Sequence, residues 1–498
     1  MNRYAGLAAI LVSFSARSVL PEINAAAYYV DAQSGDDASS GATPQRPWKS
    51  LLRVNRQIFQ AGDKLFFKAD REYAGQLRPQ GSGMRQNGQA PLITISHYGP
   101  GPRPRIAAGG HYLDAVLLRN VEGYELEGLE ITNHGTNREP WRTGVRVVAD
   151  GGGLMRHIHL RDLFVHDVNG DLSKDQEGCG IYFESRGGNN SRFQDLVIEQ
   201  CHVVRTDRNG ICQRTSNGTR SLGVVIRSNL LEDIGGDGIK VWGSDGAIIE
   251  SNALHGGRRR CDDGAAGIWP FDSDDTLIQF NEVSGMKGIK DGQGFDSDFL
   301  CRRSLFQYNY SHDNEGGFML ICAPGNSYNE DTVIRYNISQ GDGINSARVF
   351  HFGGAATNTL VYNNTIYLGP AQSLPLVLFS EWEGGKAHGA QFLNNIFYVE
   401  GAARVELGKA NGTVFRHNLF YGQCANLPAD PDILTDRPAL PKPGSGGRGF
   451  GSLAGYQWSG PTGRFSGQPI ESNGGRDFFG QPVPPGQKPT VGASESVP

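Results

Sequence analysis

The sequences TLIQFN at residues 276–281, SLFQYN at 304–309 and TVIRYN at 332–337 decide the fold of this chain. Each segment is rich in residues that favour β-strands and ends in asparagine. Successive asparagines in the full series are 23, 29, 28, 28, 27, 31 and 23 residues apart. The other five segments are VVIRSN, AIIESN, TLVYNN, AQFLNN and TVFRHN, which end at Asn229, Asn252, Asn364, Asn395 and Asn418. An internal repeat of this length predicts a solenoid or a propeller.

The length of the step distinguishes these two architectures. A propeller blade of four strands needs about 40 residues or more. A coil of 23–31 residues fits three short strands joined by turns, which is the geometry of a parallel β-helix. Stacked strands lie about 4.8 Å apart, so equal positions in successive coils form columns. We therefore predict that the asparagine side chains form a hydrogen-bonded ladder at one turn, where they satisfy polar groups that would otherwise be buried unpaired.

The composition also predicts an all-β fold. The 498 residues include 69 glycines, and only 38% of the chain is hydrophobic. Such a chain uses many residues in turns, and no long pattern with the helical period of about 3.6 residues is present. The repeat predicts a β-helix core over residues 116–423, between an N-terminal cap with the first coils at 28–115 and an irregular, Pro- and Gly-rich C-terminal segment at 424–498. We expect a short amphipathic helix near residues 48–59, since a helix there would cover exposed edge strands.

Residues 1–27 have the features of a secretory signal peptide. Arg3 precedes an apolar run over residues 4–16, and alanines at 25–27 offer a cleavage site. The apolar run is too short to span a membrane, and no later segment reaches about 18 apolar residues. We therefore predict a secreted or periplasmic protein without a membrane span.

Charge and cysteine content exclude some classes of partner. Without residues 1–27 the chain has 45 basic and 51 acidic residues, a net charge of −6. This balance argues against a nucleic-acid partner. The seven cysteines include no CxxC pair, which argues against a structural zinc site, whereas export would permit bridges such as Cys179–Cys212 or Cys301–Cys322. The oligomeric state is left open.

Several stretches are similar to a known family. YYVDAQSGDD at residues 28–37, PWKSL at 47–51, GDKLFF at 62–67 and DFFGQPVPPGQKPTVGASE at 477–495 resemble the secreted right-handed parallel β-helix family of pectate lyases, alginate lyases, polygalacturonases and other glycoside hydrolases. GIWPFDSDDTLIQFNEVSG, which begins at residue 267, resembles its β-helix repeat subgroup. The resemblance covers nearly all of the chain after residue 27. It implies a right-handed β-helix and a carbohydrate substrate, but not one reaction, because this fold carries several chemistries.

Six strands that open successive coils share a glycine register. GIYFE, GICQR, GIKVW, GIWPF, GFDSD and GFMLI begin at Gly180, Gly210, Gly238, Gly267, Gly294 and Gly317. Because strand side chains alternate, we expect the third and fifth residues to point outward. The third-position column is then Tyr182, Cys212, Lys240, Trp269, Asp296 and Met319, and the fifth-position column is Glu184, Arg214, Trp242, Phe271, Asp298 and Ile321.

These two columns predict a glycan-binding groove, because aromatic faces stack on sugar rings and charged groups bind sugar hydroxyls or carboxylates. The predicted substrate-binding residues are Tyr182, Glu184, Arg214, Lys240, Trp242, Trp269 and His312. The alternative is a surface patch covered by insertions such as residues 254–266.

Asp296 and Asp298 are the predicted catalytic pair. They lie on one strand and one face, with Cα atoms about 6.5–7 Å apart. Glycosidic bond cleavage needs one carboxyl that protonates the leaving oxygen and one carboxylate that acts as nucleophile or base. Two close carboxylates also separate each other's pKa values, which supplies an acid and a base at one pH. Asp272 and Glu315, on the neighbouring coils, are alternative partners.

Hydrolysis without a cofactor is the preferred reaction, and two alternatives stay open. By resemblance to the lyases of this family, Lys240 would be the base of a lyase that acts on uronate-containing glycans. Asp272, Asp274, Asp296 and Asp298 would then hold Ca²⁺ through hard oxygen ligands. Lys240 is two coils from Asp296, about 10 Å along the stack, which is long for one reacting carbon. The third alternative is a non-catalytic glycan-binding protein, against which the paired acids count.

Overall fold

The computed structural model of the chain is a parallel β-helix, as predicted. The structure describes residues 25–83, 91–176, 178–188, 190–345, 347–438, 441–442, 457–458, 467–470 and 472–495. Each full coil contributes one strand to each of three faces, here called A, B and C in chain order. The strands of each face pair in parallel with those of the coils before and after.

The strands of the β-helix are as follows. Face A contains Ala27–Val30, Lys64–Lys68, Ile93–Tyr98, Tyr124–Glu127, Leu154–Arg161, Arg192–Glu199, Ser221–Arg227, Ile248–Glu250, Leu277–Gln279, Leu305–Gln307, Val333–Arg335, Leu360–Tyr362, Gln391–Leu393 and Val414–Arg416. Face B contains Glu72–Ala74, Arg105–Ala107, Glu130–Asn133, Phe164–Val168, His202–Thr206, Leu230–Ile234, Ala253–His255, Glu282–Ser284, Tyr310–His312, Ile338–Gln340, Thr365–Leu368, Ile396–Glu406 and Leu419–Ala425. Face C contains Asp114–Arg119, Thr143–Asp150, Cys179–Arg186, Asn209–Thr215, Ile239–Trp242, Ile268–Phe271, Gln293–Ser297, Gly317–Ala323, Phe350–Gly354 and Ser373–Ser380.

Short elements lie beside the three faces. The short strands are Ser244–Asp245, Ile58–Phe59, Gln80–Gly81, Cys301–Arg302, Asn329–Glu330, Ala356–Thr357, Pro441–Lys442 and Gln457–Trp458. The α-helix Leu51–Asn55 and the 3₁₀-helix Lys174–Gln176 are the helices of the described residues. Within those residues no helix is both long and apolar enough to cross a bilayer.

The predicted asparagine ladder is confirmed. From Asn229 to Asn418, each side-chain nitrogen donates to the side-chain oxygen of the next asparagine in the series at 2.9–3.1 Å. The same oxygen accepts the backbone N–H of the preceding asparagine, as between Asn281 and Asn309 at 3.0 Å. All eight side chains are buried, and Asp430 accepts a hydrogen bond from Asn418 at the last rung. The ladder therefore satisfies the buried turn groups that the sequence places there.

The N-terminal region agrees with the prediction in part. The helix Leu51–Asn55 is shorter than the predicted 48–59, and its Leu51 and Val54 are buried in the main core. Ser50 is the N-cap of the helix, and its hydroxyl oxygen accepts a hydrogen bond from the Arg53 N–H at 3.2 Å. That this helix covers the end of the β-helix stays a prediction, as do the domain boundaries. Most of the predicted signal peptide lies outside the described residues, which begin at 25.

The C-terminal segment packs on the side of the β-helix in its described part. Phe478, Val483 and Ala493 form a core with Tyr308 and Tyr336. The two candidate disulfides are not formed in the structure, where all seven cysteines are thiols.

Candidate active site

Face C carries the predicted columns, and its strand pairing confirms them over four coils. Cys212 pairs with Lys240, and Lys240 pairs with Trp269. Ile268 pairs with Phe295, which places Asp296 beside Trp269. Outward positions in neighbouring coils therefore lie side by side, as the glycine register predicts.

The register changes at the next strand, and the predicted positions of Met319 and Ile321 are wrong. Gly317 pairs with Gln293 rather than with Gly294, so Asp296 pairs with Leu320. By the same register Cys322 stands beside Asp298. Met319 and Ile321 point inward and are buried in the core. The physical reason is that Gly317, with φ of 120°, is not the equivalent of the earlier marker glycines.

The two columns differ in exposure, which corrects the predicted open groove. Members of the third-position column are at most 6% exposed: Tyr182, Cys212, Lys240, Trp269 and Asp296. In the fifth-position column Arg214, Trp242, Phe271 and Asp298 are partly exposed, whereas Glu184 is buried. Trp141 packs on Tyr182 and Lys174 lies over Trp269, so the third column is buried and the accessible surface follows the fifth column.

Two predicted substrate-binding residues are engaged inside the protein. Tyr182 is buried in a small cluster against Trp141, with ring centroids 6.4 Å apart. Glu184 accepts a hydrogen bond from Arg146 at 2.8 Å. Their contacts stabilise the coil stack, so neither is presented to a ligand in this structure.

Arg214 and Trp242 belong to an aromatic row along the fifth column. The guanidinium of Arg214 lies 5.3 Å from the ring centre of Trp141 and 5.1 Å from that of Trp242. Trp242 contacts Phe271 edge-on with centroids 4.9 Å apart, and Phe271 contacts Phe299 in the same way at 4.7 Å. This row leads from Arg214 to the coil of Asp298.

His312 lies elsewhere. It is on face B, where its ring nitrogens contact Asp313 at 2.8 Å and Glu282 at 3.3 Å. Burial would lower the pKa of His312, but Asp313 and Glu282 raise it to about 9. The side chain is a charged member of a surface ion-pair network and is not part of the face C groove.

Asp296 and Asp298 come together as predicted. A carboxylate oxygen of each and the Sγ of Cys322 all lie within 4.8 Å of one another. Oδ1 of Asp298 accepts hydrogen bonds from Cys322 Sγ at 3.0 Å and from the Phe299 N–H at 2.8 Å. Oδ1 of Asp296 is buried and accepts no hydrogen bond from the described residues.

The environments of these two carboxyls separate their pKa values. Burial, followed by the charges of Asp298 and Asp291, raises the pKa of Asp296 well above its usual value. Burial also raises the pKa of Asp298, but the hydrogen bonds from Cys322 and Phe299 oppose that increase. Asp296 therefore holds a proton more readily than Asp298, which is the arrangement that gives one acid and one carboxylate in a single site.

Asp291 is a third carboxyl whose charge acts on both Asp296 and Asp298. It lies in the turn before the strand Gln293–Ser297 and is partly exposed. Burial raises its pKa, while Lys174 acts in the opposite direction. Sequence reasoning favoured a turn role for Asp291, because a DG pair in a glycine-rich chain is typical of a turn.

Lys174 supplies positive charge from above the strand. Its amine lies 5.1 Å from the ring centre of Trp269, and its backbone N–H donates to Asp263 at 2.6 Å. Burial would lower the pKa of Lys174, but Asp237, Asp291 and Asp298 together raise it. Lys174 belongs to the 3₁₀-helix that joins the face B strand Phe164–Val168 to the face C strand Cys179–Arg186, and it has no counterpart in the repeat, so no sequence signal marked it.

Asp237 is buried beneath the site and orients Trp269. Its Oδ1 accepts hydrogen bonds from Trp269 Nε1 at 3.0 Å and from the Ala266 N–H at 2.9 Å. Its other oxygen forms a fully buried ion pair with Arg208 at 3.1 Å. Burial would raise the pKa of Asp237, but Arg208 and the nearby lysines lower it. The sequence GGDG around Asp237 is typical of a turn and does not reveal this buried charge, which orients Trp269.

Arg348 and His351 lie on the coil that follows Gly317–Ala323. The sequence analysis did not select either residue. Arg348 donates to the Ile289 carbonyl at 2.6 Å, and its charge opposes the increase that burial causes in the pKa of Asp291. His351 stands beside Leu320 in the strand register and contacts Ser380 at 2.7 Å. Burial, with a smaller effect of Arg348, lowers the pKa of His351 to about 3, so its imidazole is neutral.

The alternative acids lie in other interactions. Asp272 and Asp274 form ion pairs with Arg220 at 2.9 and 3.1 Å. Glu315 binds Lys287 at 2.9 Å and the Gly288 N–H at 2.6 Å. None of these three is in the cluster around Asp298 that the ligand atoms of the described residues define.

The predicted four-aspartate calcium site does not fit this structure. Arg220 occupies two of the four carboxylates, and the ligand next to the other two is the thiol of Cys322. Calcium prefers hard oxygen ligands, six to eight in number. The residues present therefore do not match that ion.

Comparison with known proteins agrees with this fold. Residues 179–366 match the family model described as "Right handed beta helix region". A lacto-N-biosidase of Bifidobacterium longum subsp. longum is 28% identical over 450 residues, a match that covers 68% of this chain. The match spans 27% of that relative's length.

Solved structures give the same result. The crystal structure of the GH136 lacto-N-biosidase from Eubacterium ramulus aligns with a TM-score of 0.62 and 26% identity, over 77% of this chain and 68% of that one. A complex of XylC with xylose aligns with a TM-score of 0.55 over 94% of this chain and 98% of that one, at 10% identity, and shows the fold alone. The chain is therefore a right-handed parallel β-helix protein that is similar in sequence and structure to lacto-N-biosidases.

Proposed function

We propose that this protein is a glycoside hydrolase that cleaves an oligosaccharide or polysaccharide with the carboxyl cluster of face C. The observation that carries the proposal is the different environment of neighbouring carboxyls: Asp298 has two hydrogen-bond donors for its charge, whereas burial raises the pKa of Asp291 and, more strongly, that of Asp296. Glycosidic bond cleavage needs a protonated and an ionised carboxyl together. The similarity to lacto-N-biosidases supports the same reaction class.

We assign Asp298 as the nucleophile. Its side chain is partly exposed, so an anomeric carbon can reach it. Oδ1 of Asp298 accepts hydrogen bonds from Cys322 Sγ and from the Phe299 N–H, which hold the carboxylate in one orientation. In this scheme Asp298 bonds to the anomeric carbon as the glycosidic bond breaks, and water then hydrolyses the glycosyl ester.

Side-chain exposure distinguishes the two candidates for the proton donor. Asp296 is only 6% exposed, whereas Asp291 is partly exposed and also has a raised pKa. The donor has to contact the leaving oxygen of the sugar. We therefore assign proton donation to Asp291. Asp296, which the sequence analysis paired with Asp298 as catalytic, is assigned as a buried, protonated neighbour of Asp298.

The aromatic row along the fifth column and the similarity to lacto-N-biosidases indicate the class of substrate. Phe271 packs against Phe299, the residue after Asp298, and Trp242 packs against Phe271; both are partly exposed, and aromatic faces stack on sugar rings. We propose that the substrate is a glycan of the kind that lacto-N-biosidases cleave. The lyase alternative is disfavoured because its base, Lys240, is 1% exposed beneath Trp242 and Trp269.

A digestion assay tests the reaction class. Oligosaccharides that release lacto-N-biose and uronate polysaccharides are incubated with the protein, with and without EDTA. We expect new reducing ends that EDTA does not suppress, and no absorbance near 235 nm. Asp298→Asn should lose at least about a thousandfold in kcat/KM with an unchanged melting temperature. Glycan binding without cleavage by a folded sample would instead indicate the binding protein.

We also propose that the protein acts outside the cytoplasm. The support is the export signal predicted at residues 1–27. N-terminal sequencing of protein recovered from the periplasm or medium should give a chain that begins at Tyr28.

A further inference from the structure

Face A carries a second cluster of ionisable side chains, on a different face from Asp298. Glu125, His157 and His159 each offer one ligand atom, and these atoms all lie within 4.8 Å of one another. They come from two adjacent strands, Tyr124–Glu127 and Leu154–Arg161. Glu125 and His159 are direct partners in the parallel register.

A bulge brings His157 into this group. Met155 and Ile158 are both buried, so two residues between them, Arg156 and His157, occupy the outward side of the strand. The strand register skips His157, which has a φ of 53°. The left-handed conformation is unfavourable for a histidine, because its Cβ crowds the backbone. The bulge places two imidazoles of one strand on the same outer surface.

The two imidazoles are close enough to bind one ion. Their ring centroids lie 3.8 Å apart, with an angle of 28° between the planes. Two zinc–nitrogen bonds of about 2.0–2.1 Å span up to about 4.2 Å. Nε2 of His157 lies 3.2 Å from Oε1 of Glu125, so an ion bound to this nitrogen would also be close to the Glu125 carboxylate.

Asp195 supports the two rings from the next coil. Its Oδ2 contacts Nδ1 of His157 at 2.8 Å, and its Oδ1 contacts Nε2 of His159 at 3.0 Å. A carboxylate that accepts the N–H of a ligating histidine fixes the tautomer and the orientation of the ring. Asp195 is itself the bulge residue of its strand, with a φ of 62°.

We propose that Glu125, His157 and His159 form a binding site for a divalent transition-metal ion such as Zn²⁺, with Asp195 as the outer carboxylate. Imidazole nitrogen and carboxylate oxygen are the ligand types that zinc takes in such sites, whereas calcium and magnesium favour oxygen alone. The side chains of His157 and His159 are 18% and 17% exposed, which leaves an approach for the ion from solvent. Because the site bridges two coils, metal binding would stabilise the folded state.

Calorimetric titration of the metal-free full-length protein with zinc chloride tests this site. We expect one equivalent of zinc to bind and to raise the melting temperature. His159→Gln should weaken binding by more than about tenfold, and Asp195→Asn by about tenfold as an outer-partner change. His202→Gln is the matched control, because this face B histidine also contacts a carboxylate, Glu232 at 3.0 Å, but belongs to no three-ligand group of the described residues. Its zinc affinity should equal that of the wild type.

The competing site is the cluster of Asp296, Asp298 and Cys322, so a Cys322→Ser variant is titrated in parallel. Loss of zinc binding in Cys322→Ser with full binding in His159→Gln would overturn the proposal. Absence of any zinc binding by the folded wild type would overturn it as well. Circular dichroism of each variant checks folding, and Glu125→Gln replaces His159→Gln if the latter does not fold. Because the readout is metal affinity, failure here leaves the hydrolase assignment unaffected.

Discussion

The Sγ of Cys322 lies 3.0 Å from Oδ1 of Asp298. Burial, together with the charges of Asp298 and Asp296, raises the pKa of the thiol well above its usual value, so it keeps its proton and acts as the donor. A donor to a carboxylate stabilises the ionised form. The fold places this pair in register because Asp296 and Leu320 are strand partners, two residues earlier on each strand.

Removing the thiol should shift the pH dependence of catalysis. In Cys322→Ala the carboxylate loses one donor, so the pKa of Asp298 rises and its ionised form is lost at a higher pH. We expect the acid limb of kcat/KM to move up by about one pH unit. Cys322→Ser retains a donor and should stay close to the wild type. Identical acid limbs in all three proteins would show that the contact does not affect the reacting carboxylate.

The leaving group should separate the roles of Asp291 and Asp296. A 4-nitrophenyl glycoside departs without a proton, whereas a sugar leaving group needs one. Asp291→Asn should therefore lose about 10²–10⁴-fold on an oligosaccharide but about tenfold or less on the aryl glycoside. Asp296→Asn should affect both substrates equally. The reverse pattern would transfer the proton-donor role to Asp296.

Asp342 should make the protein less stable as the pH rises. It is fully buried, and its Oδ1 accepts both the backbone and the side-chain N–H of Asn314, at 3.1 and 2.9 Å. Burial raises its pKa to about 6, from 3.8 in an unfolded chain. The folded state therefore binds the proton more tightly, and stability falls as the pH rises from about 4 through 6.

Asp342→Asn tests this effect. The amide oxygen can still accept from Asn314, but no charge is buried at high pH. We expect urea unfolding at pH 8 to show a gain of up to about 3 kcal/mol over the wild type, which disappears near pH 4. A variant that is less stable than the wild type at pH 8 would contradict the direction of this shift.

The asparagine ladder should be essential for stability. Asn309 donates to Asn337 Oδ1 at 3.0 Å and to the Ile278 carbonyl at 2.9 Å. Asn309→Ala removes these two donated hydrogen bonds and the oxygen that accepts from the backbone and side-chain N–H of Asn281, at a cost of about 2–4 kcal/mol in the free energy of unfolding. Asn411→Ala, at an exposed position outside the ladder, is the control and should cost less than about 0.5 kcal/mol. Equal losses in the two variants would argue against the ladder as the stabilising feature.

Most of the fold was predictable because it is periodic. The asparagines recur at nearly equal steps, and each step is one coil, so a pattern in the sequence reports directly on a column in space. The prediction failed where the period changes. Gly316 and Gly317 offer two possible register marks, and the pairing of Gly317 with Gln293 is decided by packing against the next coil.

The candidate site was predictable only where its residues lie on the repeat. Asp296, Asp298 and Trp269 follow from strand alternation. Lys174 and Arg348 come from connections of irregular length, so their position over Asp291 depends on the path of those connections. The burial of Tyr182 was equally hidden, because the residue that covers it, Trp141, precedes it by a whole coil.

Hydrolysis in water enriched in ¹⁸O tests the central claim most directly. A glycoside hydrolase adds water across the glycosidic bond, so mass spectrometry of the products should show one ¹⁸O atom at the new reducing end. Asp298→Asn should form no labelled product in the same time. An unlabelled product with an unsaturated sugar at its new non-reducing end would contradict the account, because it would show cleavage by elimination.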